Sequence, residues 1–95
     1  MTWLINVHRD AARQLEAIPP DRRNRIMNDI RELADDPFRG LVKPLKGKAH
    51  KGLYRKVSGR YRIILEPIHA THTVHVVGVL LRRERAPISE AVRSV

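Results

Sequence analysis

Lysine and arginine crowd one stretch of the chain, LKGKAHKGLYRKVSGRYRIIL from Leu45 to Leu65, and no Asp or Glu interrupts them. Lys43, Lys46, Lys48, Lys51, Arg55, Lys56, Arg60 and Arg62 fall in or beside it, and Arg82, Arg83 and Arg85 form a second group further on. Such side chains do two kinds of chemistry at a phosphodiester. Guanidinium forks bind the phosphate oxygens and offset the charge that builds on them during displacement. A lysine among other cations gives up its proton more readily and can then take one from a nucleophile. Arginine is too basic for that near neutral pH, so Lys46, Lys48 or Lys51 is the expected base if the chain cuts a strand. The set expected to bind the strand is Lys43, Lys46, Lys51, Lys56, Arg60, Arg82 and Arg85.

Other reactive patterns are weaker. His69, His72 and His75 form HxxHxxH, but positions three apart alternate faces on a strand, so a shared metal ion is not expected. His50 could move a proton near neutrality, yet a two-histidine nuclease needs a second ring beside it, and His8 is the remaining candidate. LKGKAHKG lacks the GxxxxGK[ST] spacing of a phosphate loop and precedes a strand instead of a helix. No cofactor is implied.

The charge distribution sharpens this reading. The net charge of the 95-residue chain is +9. Residues 1–36 carry six arginines against seven acids, whereas residues 37–95 carry thirteen lysines and arginines against only Glu66, Glu84 and Glu90. The whole excess lies in the second part. A field of one sign on a small body attracts polyanions, nucleic acid first. The chain has no cysteine, which excludes disulfides and thiolate–zinc sites. No apolar run reaches the ~18 residues needed to span a bilayer, and the opening MTWLINVHRD lacks the form of a signal peptide. The expectation is a single domain over residues 1–95, cytoplasmic, with no membrane partner.

Elements must bring these cations together. Trp3 to Val7 reads as a first strand. HRDAARQLEAI follows, with Ala12, Leu15 and Ile18 at helical spacing alongside Val7 and Ala11. Pro19-Pro20 separates it from DRRNRIMNDIRELADD, where Ile26, Ile30 and Leu33, with Met27 and Ala34, form one apolar stripe. Residues 37–50 read as a Gly- and Lys-rich loop. GLYRKV, RYRIILEP and THTVHVVGVLL then read as three antiparallel strands, with turns at Ser58-Gly59 and at His69 to Thr71. The fold class is α+β: a helical hairpin packed on one face of a small, curved, mostly antiparallel sheet, in the order β-α-α-β-β-β, with a C-terminal tail or short helix. Ile63, Leu65, Val74 and Val76 are expected under the helices, leaving the second sheet face for the cations. Alternation places Arg55 with Val57 and Arg60 with Arg62, against Tyr54 with Lys56 and Tyr61 with Ile63.

This order, the Leu45-Lys46-Gly47 loop, the strand pair LYRKVSGRYRIIL and the RRER segment together resemble the RelE/ParE superfamily of toxins from type II toxin–antitoxin systems, from about Leu4 to Ile88. Gly59 to Arg62 is the most specific element. The resemblance implies a ribosome-dependent, metal-independent endoribonuclease that cleaves mRNA in the A site and is neutralised by a cognate acidic antitoxin in a hetero-oligomer. It places Arg55 on the basic residue of the strand, Arg62 on the arginine of the Tyr-Arg pair, and Arg83 and Arg85 on the C-terminal arginines, which implies a catalytic set of Arg55, Arg62 and Arg83 with Lys48 as the expected base. RelE-type nucleases often carry a tyrosine soon afterwards; the matching place here is near Ser89, and no aromatic residue follows Tyr61. The ParE-like branch, which inhibits DNA gyrase without cutting RNA, is the alternative.

Overall fold

The computed structural model describes residues 2–81. Strand β1 (Leu4–Val7) leads into helix α1 (Arg9–Glu16) and helix α2 (Pro20–Glu32). Strands β2 (Val42–Pro44), β3 (Tyr54–Ser58), β4 (Tyr61–Ile68) and β5 (Thr73–Leu81) follow, with a single 3-10 turn at Lys48–His50 between β2 and β3. The sheet order is β1-β5-β4-β3-β2. β1 runs parallel to β5 and every other pair is antiparallel. No helix of the described residues is long and apolar enough to cross a membrane.

The hairpin forms where the sequence punctuates it. His8 caps α1, its Nδ1 accepting from the Asp10 amide at 3.2 Å. Pro20 occupies the first turn of α2, where its missing N–H costs nothing. Arg23 then reaches back to the end of α1: its Nη2 donates to the Ile18 carbonyl at 2.9 Å and to the Glu16 carbonyl at 3.3 Å. One guanidinium thus satisfies carbonyls that the end of α1 leaves open.

The helices cover one face of the sheet. Ala11, Leu15, Ile18, Ile26, Ile30 and Leu33 meet Tyr61, Ile63, Leu65, Val74, Val76 and Val79, with Trp3 closing one end. The expected sheet residues are therefore the buried ones. Ala12 is not; it points to solvent while Ala11 is fully buried. The apolar positions that share this face are Ala11 and Leu15 of α1 and Ile18 just past its end.

Two features depart from the expected order. First, the stretch read as a loop contains β2, an edge strand pairing Val42 with Lys56, Lys43 with Arg55 and Pro44 with Tyr54. A three-residue strand with Lys and Pro carries almost no hydrophobic alternation, and such residues suit an edge. Second, β4 and β5 slip by one residue: Ile64 pairs with Gly78 but Leu65 with Val76, so Val77 is extra. The bulge resets the alternation, leaving Val77 on the outer face with Ile64 and Leu53 and returning Val79 to the core. Gln14 of α1 stabilises this break, its Oε1 accepting from the Val79 amide at 2.7 Å.

Candidate nucleic-acid interface

The sheet face turned away from the helices carries two zones. One is apolar, with Leu53, Ile64 and Val77 buried together and Leu45 packed against them. The other is a concavity of about 230 Å³ lined by Leu41, Lys43, Arg55, Val57 and Arg62. Strand pairing explains how three cations from three strands meet. Lys43 on β2 stands opposite Arg55 on β3, and Val57 on β3 stands opposite Arg62 on β4. Arg55 and Arg62 are thus diagonal neighbours on one face, a spacing that long side chains bridge. Among the described residues, neither Lys43 nor Arg55 lies within 4 Å of a carboxylate. Leu41, 68% exposed, precedes β2 and is part of this lining.

Lys56 belongs elsewhere. It is 4% exposed, beneath α2, where its Nζ donates to the Asp29 carbonyl at 3.3 Å and lies 3.5 Å from Glu32 Oε2. Its neighbour Ser58 donates to Asp29 Oδ2 on the same side. Lys56 therefore ties the sheet to α2 and is withdrawn from any strand on the outer face, correcting its place in the binding set. Tyr61, 8% exposed, is core, and Tyr54 packs against the core's edge. Neither offers its ring to the outer face.

Arg60 is exposed but does not join Arg62. It lies in the turn between β3 and β4 and lines a separate concavity of about 230 Å³ with Arg22, Arg25, Ser58, Gly59 and Tyr61. Arg22 and Arg25 come from α2 and are absent from the expected binding set. Their spacing of three along a helix, followed by a basic turn, was the available signal.

Lys46, Lys48 and Lys51 are exposed on the connection between β2 and β3 and do not line the Arg55–Arg62 concavity. Lys43 does. His50 in the same connection places Nδ1 2.8 Å from the Lys46 carbonyl, as donor. His8 ends β1 at one edge of the sheet while His50 follows β2 at the other, so three strands separate them. His72 stacks on Trp3 with ring centroids 4.0 Å apart, and His69 meets the same indole edge-on at 5.3 Å. His75 instead contacts the Asn6 amide at 3.2 Å. No cluster of three metal-binding side chains occurs among the described residues. Arg82, Arg83 and Arg85 lie outside them; β5 ends at Leu81, paired with Tyr61, one residue before this group begins.

No protein-family model matches the chain, and neither does any curated protein sequence. Solved structures do. A chain of the RelBE2 toxin–antitoxin complex from Mycobacterium tuberculosis is 23% identical, with a TM-score of 0.77 over 86% of this chain and 100% of that one. The isolated E. coli RelE toxin is 20% identical, with a TM-score of 0.71 over 97% of each chain. A YoeB/ParE toxin from Agrobacterium tumefaciens is 18% identical, with a TM-score of 0.70 over 83% of this chain and 98% of that one. The chain has the RelE-like fold, an α+β unit with two helices on a five-stranded mixed sheet.

Proposed function

We propose that this chain is the toxin of a type II toxin–antitoxin pair and acts as an endoribonuclease on translated mRNA. The observation that carries the reading is the meeting of Lys43, Arg55 and Arg62 from three strands in one concavity. Such an arrangement has a polyanionic backbone as its natural ligand. The likeness in fold to structures described as RelE and RelBE toxins supports it.

RNA brings its own nucleophile, the 2′-hydroxyl beside the scissile phosphate. The protein has to hold the 2′-oxygen, phosphorus and 5′-oxygen in line, accept the hydroxyl proton and offset charge on the equatorial oxygens. Arg55 and Arg62 supply the charge. Lys43 is the amine in their concavity, so it replaces Lys48 as the group placed to take the 2′-hydroxyl proton. The P–O5′ bond breaks as the P–O2′ bond forms, leaving a 2′,3′-cyclic phosphate and a 5′-hydroxyl once the leaving oxygen is protonated. Arg83 is proposed as a further phosphate ligand, on the likeness of the RRER segment to the C-terminal arginines of RelE/ParE toxins.

The antitoxin is proposed to be acidic and to cover this concavity, with Leu41 as an apolar anchor in its lining. The reaction is proposed to occur on the ribosome, in the A site. Codon-phased cuts in primer extension on translated mRNA after induction test this reading; intact mRNA would remove it. The absence of an aromatic residue after Tyr61 favours one second reading, a ParE-like inhibitor of gyrase. Loss of supercoiling activity in purified gyrase, with mRNA uncut, would select that reading.

A further inference from the structure

The second basic concavity, formed by Arg22, Arg25 and Arg60, lies on the other side of the β3–β4 turn from the Arg55–Arg62 site. Arg22 and Arg25 project from the first turns of α2, and Arg60 from the turn itself. The Arg25 guanidinium lies against Gly59, 3.7 Å from where a Cβ there would stand. Gly59 has φ +59°, a left-handed conformation that closes the turn and brings Arg60 round toward α2. Among the described residues, no carboxylate lies within 4 Å of any of the three guanidiniums. The nearby acid Asp29 is engaged by Ser58.

Three arginines brought together with no carboxylate in contact with them repel one another, and that arrangement suits a ligand carrying several negative oxygens. An acidic protein segment that folds on binding also needs apolar anchors. Of the large exposed apolar side chains among the described residues, Leu4, Phe38, Leu41 and Leu81, none lines this concavity, and Leu81 alone borders it, as the strand partner of Tyr61. A phosphodiester needs no such anchor. Arg60 and Arg62 sit two residues apart on either side of Tyr61, so the two concavities flank one turn.

We infer that Arg22, Arg25 and Arg60 form a second phosphate-binding site, continuing the path of an RNA strand from the outer sheet face around the Ser58–Arg60 turn onto α2. The inference rests on the RNA reading above for its ligand class. This site touches no reacting atom; it positions the strand and adds affinity.

The test is binding of a 2′-O-methyl RNA dodecamer, which cannot be cut, to the full chain across a salt series. Arg22→Ala/Arg25→Ala should weaken binding about tenfold and flatten the log K against log salt slope by about 1.4, the share of two phosphates on single-stranded RNA. Arg60→Ala, changed from the sheet side, should shift both readouts the same way by about half, and carries the test if the double variant fails to fold. Binding unchanged in these variants but weakened in Arg55→Ala/Arg62→Ala would overturn the second site and leave the first standing. No binding by the unmodified chain would overturn both.

Discussion

Lys43 and Arg55 face each other directly across the β2–β3 pair, on the sheet face away from the helices. Like charges in that register oppose pairing of the strands. The protein keeps them together at an edge where a Lys–Glu pair would be the stabilising choice, a pattern expected of a site shaped by its ligand.

That relationship gives the first prediction. Arg55→Gln should raise stability by up to about 1 kcal/mol at low ionic strength, because a repulsive cross-strand contact is relieved. The gain should shrink as salt screens the pair. Urea denaturation at low and high salt measures it. A loss of stability at low salt would mean that Arg55 has a favourable partner in the free protein.

Lys56 should behave in the opposite way. Lys56→Ala removes the bond to the Asp29 carbonyl and a buried stem under α2, at a cost of about 1–3 kcal/mol. The salt slope for RNA should not change. A flattened slope with unchanged stability would return Lys56 to the binding surface.

Gln14 holds the bulge. Gln14→Ala leaves the buried Val79 amide without its acceptor, which should cost about 1–3 kcal/mol. Hydrogen exchange at Val79 should accelerate more than at Ile63, its pairing partner on β4. Equal acceleration at both would mean that Gln14 supports the fold generally and does not hold the bulge in particular.

Much of this was legible in the chain. The stripe of Ile26, Ile30 and Leu33 and the alternation of Ile63, Leu65, Val74 and Val76 marked the buried faces, because burial imposes period on sequence. The same alternation set Lys56 on Tyr54's face, away from Arg55. Counting it among the strand-binding cations gave its charge more weight than its register. β2 left no trace because edge pairing is satisfied by backbone groups and asks little of side chains. The bulge was equally hidden: β5 reads as a continuous apolar run, and only the pairing partners of Ile64 and Leu65 reveal the slip. The Arg22–Arg25–Arg60 concavity joins residues far apart in sequence, and only the packing of α2 beside the β3–β4 turn brings them to one place.

The concavity lined by Lys43, Arg55 and Arg62 is proposed to act on RNA. Primer extension on translated mRNA, after induction of the unmodified chain and of Arg55→Ala/Arg62→Ala, tests it most directly when both proteins are shown to melt at similar temperatures. Codon-phased ends are expected with the first and full-length message with the second. Codon-phased ends from the variant as well would contradict it.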